Sequence, residues 1–282
     1  MIQIGKSHTL KASRKTPQGI YLEDETGDSV LLPNAYVPKT LHIGDDINVF
    51  VYLDQEERPL ATPHKPLLEL GRFSALKVSN ITSFGAFFEW GPVKELLVPH
   101  DLQAQPIKEE GTKHVVHLMF DDASQRLVGT TKISAYLLPA SAEEYKPGKT
   151  VSALLYSQGD LGYKAVVDQK YDGMIYHSDL FKPVSIGQTL EVFVQKVRPD
   201  GKLDLAIEKF GYQKVVSSTD KLLHALKSNN GFLPLHDKSP AEDIYKTLKM
   251  SKKVFKKAVG ALYKKRQISL EKNGIKLVVK SI

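Results

Sequence analysis

Two phenylalanines flank a glycine in Phe84-Gly85-Ala86-Phe87, and the run continues through Phe88, Glu89 and Trp90. Side chains on a strand alternate between faces, so Ala86 and Phe88 point one way while Phe87 points with Glu89. Phe87 then shares the glutamate's solvent-facing side, and Phe84 stands just before the turn. The chemistry open to such rings is stacking on a flat π-system, for which nucleic-acid bases are the common partners. The alternative is an ordinary strand covered on both faces, a reading that ten residues leave open.

Other chemistries find little support. The chain has no P-loop glycine run, no nucleophile elbow and no HExxH helix. His114 and His117 share an expected strand but differ in parity, so they face opposite sides and read as satisfied surface or edge histidines. The acid pairs Asp45-Asp46, Glu109-Glu110 and Asp121-Asp122 fall in turns, where carboxylates favour the local geometry. No catalytic residue, metal ligand set or cofactor site is assigned, and the chain reads as a non-enzyme.

With 282 residues the chain is long enough for two to four domains. No apolar run approaches the ~18 residues of a membrane span, and no membrane partner is expected. The N-terminus lacks a signal-peptide pattern. The absence of cysteine excludes disulfides and thiolate metal sites, and a cytoplasmic setting fits best. The formal charge of +7 is unevenly placed. Residues 215–282 hold 15 Lys and Arg against 5 Asp and Glu, a net +10, while the rest of the chain nets −3. So concentrated an excess points to contact with a polyanion through the last quarter.

One β unit recurs three times. In the first copy its pieces are Gly19–Leu22, Val30–Pro33, Ile43–Val51 and Arg58–Thr62; in the second, Phe84–Phe88, Glu95–Pro99, Glu110–Leu118 and Arg126–Thr130; in the third, Leu161–Val166, Asp172–Tyr176, Ile186–Val194 and Lys202–Ala206. A unit of about 60 to 75 residues with about five short strands has the size of a partly open barrel of the oligonucleotide-binding (OB) type. The expected domains are 1–63, 67–138 and 146–212, separated by Pro-punctuated polar linkers, with a fourth domain over 215–282.

The Phe-Gly-Ala-Phe turn, the Gly-led fourth strand and the cation before the last strand resemble S1-type RNA-binding domains. The resemblance covers about residues 1–210. Together with the basic C-terminal domain, the order of copies is similar to the conserved virulence factor B family of bacterial RNA-binding regulators. That family implies three S1-like barrels followed by a winged helix, contact with single-stranded RNA, and post-transcriptional control of gene expression, virulence factors included. Matched onto this sequence, the S1 pattern gives Phe84 and Phe87 as stacking aromatics and Arg126 as a cation for phosphate or base. The first copy keeps Tyr21 and Arg58, with Gln18 in place of the first ring. In the third, Leu161 and Lys164 take the aromatic positions and Lys202 keeps the cation. Where the pattern often has histidine at the end of the third strand, Pro33, Val98 and Tyr176 are matched. The middle copy is therefore expected to bind best.

The last quarter reads as helix, short strand, helix, helix, hairpin, which is the winged-helix order. Thr219 or Asp220 is the expected cap of a helix ending near Asn229, and Ser239-Pro240-Ala241-Glu242 reads as a capping box with proline at the first helical position. Ser251 caps a third helix with Val254, Phe255, Ala258, Val259 and Leu262 on one face. Asn273-Gly274 marks a hairpin between Gln267–Glu271 and Ile275–Val279. Lys252, Lys253, Lys256 and Lys257 crowd the start of the third helix, where a recognition helix meets a phosphate backbone. Two rival readings stay open. One is an adaptor docking on ribosome, RNA polymerase or ribonuclease; the other is a DNA-binding regulator led by the winged helix.

Overall fold

The computed structural model describes residues 1–180, 183–207 and 212–278, without the side chains of 212–217. The chain divides into two compact units, Met1–Leu137 with Ile186–Gln188, and Leu138–Ser185 with Thr189–Ile282. The architecture is mainly β, with barrel-like sheets followed by a winged helix.

In the first unit, β1 (Ser7–Lys15), β2 (Gly19–Glu23), β3 (Ser29–Pro33), β4 (Asp46–Leu53) and β5 (Pro59–Thr62) close into a barrel in the order β1-β2-β3-β5-β4. A second set follows: β6 (Phe73–Thr82), β7 (Gly85–Glu89), β8 (Leu96–Pro99), β9 (Lys113–Asp121) and β10 (Arg126–Thr130). These five form a sheet in the order β10-β9-β6-β7-β8. In the second unit, β11 (Thr150–Gly159), β12 (Gly162–Val167), β13 (Tyr171–Tyr176), β14 (Thr189–Val197) and β15 (Leu203–Ala206) close as the first set does.

The two closed barrels owe their closure to a parallel pairing, Leu31 against Leu60 in one and Gly173–Ile175 against Leu203–Leu205 in the other. The middle barrel differs from the other two. Its end strands β8 and β10 lie side by side without pairing. The seam is filled by side chains: a Cβ on Gly129 of β10 would stand 2.7 Å from Val98 Cγ2 and 3.2 Å from Leu96 Cδ2, both from β8.

The glycine before each second strand has a common physical reason. A Cβ on Gly19, Gly85 or Gly162 would stand 2.0, 2.3 or 2.1 Å from the carbonyl oxygen of Leu32, Val98 or Ile175. The neighbouring strand passes too close for any side chain. Register places Pro33, Pro99 and Tyr176 opposite these glycines. The match of Val98 to the end of the third strand was therefore one residue early. Pro99 is the equivalent of Pro33 and Tyr176, and Val98 faces the core with 0% exposure.

Alternation along β7 is as read. Ala86 and Phe88 are fully buried, Phe87 is half-buried and Glu89 is exposed. The core of the middle barrel, with Leu76, Val78, Phe88, Leu96, Val116 and Leu118, is continuous with Phe50 and Tyr52 of the first barrel. Phe50 meets Trp90 edge-on at 5.5 Å between centroids, and burial pushes the Tyr52 phenol up to about 12. Each such side chain removed from water contributes roughly 1.5–3 kcal/mol.

The winged helix comprises α1 (Tyr212–Ser228), β16 (Phe232–Leu233), α2 (Ala241–Leu248), α3 (Lys252–Lys264), β17 (Ile268–Glu271) and β18 (Gly274–Leu277). Two expectations need correction. Helix α1 starts at Tyr212 and not at a Thr219 or Asp220 cap. Ser218 and Thr219 are buried within it, so packing overrides the weak helical preference of hydroxyl residues. The Ser239 capping box does not form. Pro240 is the N-cap of α2, without a side-chain cap, and Ser239 Oγ instead accepts from His236 N at 3.0 Å. The hairpin itself forms as read, with Glu271 paired to Gly274 across Lys272 and Asn273. Gly274 is needed because a Cβ there would meet Leu233 O at 2.2 Å. Val279, the expected end of the last strand, lies outside the described residues.

Ser251 does cap α3, its Oγ accepting from Val254 N at 3.3 Å. Phe255, Ala258 and Leu262 carry the buried face into a core with Leu226, Leu235 and Ile275. Ser251→Ala is expected to cost about 1 kcal/mol. Thermal melting followed by helical circular dichroism measures this as a lowered midpoint.

Candidate nucleic-acid interface

Turn and strand position the two phenylalanines differently. Phe84 sits in the β6–β7 turn, its backbone N–H donating to Thr82 Oγ1 at 3.2 Å, and its side chain is 74% exposed. Phe87 stands on β7 between Asn80 and Leu97. Both rings line a groove of about 700 Å³, together with Leu97 of β8 and with Arg126 and Leu127 of β10. The expected stacking pair and the expected cation therefore share one surface.

The groove also has residues that the sequence did not point to. Lys94, in the loop between β7 and β8, and Glu57, in the turn between β4 and β5, both line it. Glu57 Oε1 lies 3.0 Å from Arg126 Nε and 3.0 Å from Lys94 Nζ. Lys94 Nζ also donates to the Asp54 carbonyl at 2.6 Å, and its own carbonyl accepts the Trp90 indole N–H at 2.7 Å. Long sequence separation hid these contacts. Glu57 reads as one acid among several in a polar turn.

The corresponding residues of the first barrel are engaged within it. Arg58 Nε and Nη2 donate to Asp54 Oδ2 at 2.9 and 2.8 Å, and its Nη1 lies 2.7 Å from Glu56. Hydrogen bonds to the Arg58 backbone and side chain hold the Asp54 carboxyl below its usual range, against the opposing effect of burial. Tyr21 is half-buried, with the Arg14 guanidinium 4.1 Å above its ring.

In the third barrel, Lys202 Nζ stands 3.8 Å from Asp172 and 3.7 Å from Asp200, while Lys164 is exposed. Burial pushes the Asp172 carboxyl up, with Lys202 and Lys164 opposing. The Tyr176 hydroxyl accepts from Arg198 Nη2 at 2.7 Å and donates to the buried Asp204 at 3.3 Å.

On α3, Lys253, Lys256 and Lys257 are exposed and Lys252 is half-buried. Lys253 Nζ lies 3.6 Å from Asp179 of the third barrel. Of the two strand histidines, His114 pairs with Thr112 Oγ1 at 3.0 Å. His117, expected as a surface or edge histidine, is instead buried between Phe73 and Tyr136, each 4.4 Å away between centroids. Burial lowers the pKa of both imidazoles. No cluster of three metal-ligating side chains occurs among the described residues, and no helix among them is long and apolar enough to cross a membrane.

Comparison with known proteins agrees with this plan. Residues 4–64 match the S1 domain family, and residues 220–277 match the family described as the CvfB-like winged helix domain. Conserved virulence factor B of Staphylococcus epidermidis is 26% identical over 268 residues, which cover 92% of this chain and 89% of that protein. Over most of its length the chain is similar to conserved virulence factor B. A second such relative, the Bacillus subtilis protein YitL, described as uncharacterized, is 24% identical over 95% of this chain and 91% of its own length. A Streptococcus pneumoniae crystal structure, described as a multidomain protein with nucleic acid binding domains, covers 98% of both chains at 22% identity and a TM-score of 0.41. The S1 and winged-helix domain types matched here support nucleic-acid binding.

Proposed function

We propose that the chain binds single-stranded RNA, with the middle barrel as its main platform. Bases stack on Phe84 and Phe87 while Arg126 approaches the backbone or a base. The observation that carries this reading is the exposure of Phe84 beside Phe87 and Arg126 on one groove. An exposed ring next to a cation is costly to leave in water and well suited to a base. The basic face of α3, through Lys252, Lys256 and Lys257, adds a second anchor. In the outer barrels Tyr21, Arg58, Lys164, Tyr176 and Lys202 make weaker contacts, because most of them are already engaged with neighbours. Tethering weak sites on one chain raises avidity through effective concentration. A post-transcriptional regulatory role is part of this reading, and the name of the staphylococcal relatives, conserved virulence factor B, supports a link to virulence.

The test is a fluorescence anisotropy titration of the full chain with labelled single-stranded RNA and with duplex DNA at several salt concentrations. Stacking contributes about 1–3 kcal/mol per base. Phe84→Ala with Phe87→Ala is therefore expected to weaken RNA binding about tenfold or more. Unchanged affinity in a folded double variant would remove the middle barrel as the platform. Preference for duplex DNA would favour the reading led by the winged helix.

A further inference from the structure

The turn between β4 and β5 is built to hold one side chain in place. Asp54 Oδ1 accepts from the backbone N–H groups of Glu56 and Arg58 at 2.8 and 2.9 Å, and Oδ2 receives the Arg58 guanidinium. Asp54 N donates to the Arg58 carbonyl at 3.0 Å, which closes the loop. Within this clamp Glu57 adopts φ +60°, the left-handed region that non-glycine residues seldom enter. The turn belongs to the first barrel, yet its Glu57 lines the groove of the middle barrel.

There the carboxylate bridges two cations. Oε1 lies 3.0 Å from both Lys94 Nζ and Arg126 Nε, and Oε2 is buried without a hydrogen-bond partner. Two positive groups converge on one anionic oxygen beside two aromatic rings. A backbone phosphate between stacked nucleotides presents the same chemistry. The union of the two barrels does not depend on this contact, since Phe50 and Tyr52 share the middle barrel's core and Ser7 bonds to Glu69.

We propose that Glu57 belongs to the middle barrel's nucleic-acid site, where it occupies the place of a backbone phosphate on Lys94 and Arg126 and is displaced when a strand binds. This rests on the groove being the RNA platform. Glu57 then sets the threshold of binding: a strand must offer enough stacking on Phe84 and Phe87 to release an anion already seated. Lys94, absent from the S1 match, becomes a phosphate contact.

The test measures binding of the full-length protein to a twelve-nucleotide oligouridylate across a salt series. Glu57→Gln keeps the shape and removes the charge. Glu57→Gly also removes it and suits the left-handed backbone, so at least one variant retains the fold. The expected result is about fivefold tighter binding, since each partly exposed pair is worth only a modest amount. The slope of log affinity against log salt should keep its wild-type value, since Lys94 and Arg126 meet phosphate in the complex of either protein. Equal or weaker binding by folded variants would overturn the proposal and leave Glu57 as a tie between barrels. Repeating the measurement with Phe84→Ala and Phe87→Ala separates the two ideas. If the rings prove irrelevant but the gain persists, the stacking reading falls and the phosphate site stands. If the rings matter and no gain occurs, the reverse holds.

Discussion

Gly85→Ala is expected to destabilise the middle barrel by about 3 kcal/mol or more, a large loss for a single added methyl group. The added Cβ would stand 2.3 Å from Val98 O and 2.8 Å from Pro99 Cα. Both are backbone atoms of the paired strand β8, so no flexible side chain can give way. Relief requires β7 and β8 to separate, which breaks their ladder and uncovers Phe88 and Leu96, both core residues. Trp90, the sole tryptophan, is 3% exposed within the same core and reports the event directly. Urea unfolding followed by its fluorescence should show a clearly lowered midpoint. An unchanged midpoint would mean that the pair of strands yields without cost, and that the glycine has another reason.

Asp204→Ala should weaken the third barrel by a similar amount, about 3 kcal/mol, through the loss of a buried charge partner. Asp204 is 3% exposed and accepts from Arg198 Nε at 2.7 Å and from the Tyr176 hydroxyl at 3.3 Å, with Lys196 Nζ at 3.4 Å. Its removal leaves the Arg198 guanidinium, 26% exposed, with the Tyr176 hydroxyl as its remaining close hydrogen-bond partner. Calorimetric melting of the full chain measures the effect. A loss under about 1 kcal/mol would show that the guanidinium turns to water when its partner is gone. The network also explains why Tyr176 is a poor candidate for stacking despite its place in the repeat. Its hydroxyl is held at both ends, and the Arg198 guanidinium carbon lies 5.8 Å from the ring centroid.

The repeat was legible because its pieces are local. Glycine, corner and alternating strand lie within a few residues of one another, and their threefold recurrence set the barrel class. The first strand of each barrel was not located. Registers shift between Ala12 and Arg14 in β1, Val78 and Asn80 in β6, and Leu155 and Ser157 in β11. A bulge at the same place in all three resets the period of two, so Leu10 and Ala12, or Leu76 and Val78, stand buried without a continuing alternation. In the winged helix, the Ser251 cap was legible because its hydrogen bond spans three residues. The Thr219 start was misread because packing against distant segments decides that helix. The groove divides in the same manner. Phe84 and Phe87 announce themselves within four residues, whereas Glu57 and Lys94 meet across 37 residues and leave no local signature.

The unpaired seam between β8 and β10 gives the middle barrel a mechanical property that the closed barrels lack. Leu96 and Leu97 line the groove from one side of the seam, and Arg126, Leu127 and Val128 from the other. Spreading the groove to admit a base separates side chains but breaks no rung of the backbone ladder. In the closed barrels the same displacement would break the parallel pairing between third and fifth strands. The groove is thus a compliant mouth set in a stiff wall, able to change width with the size of its guest.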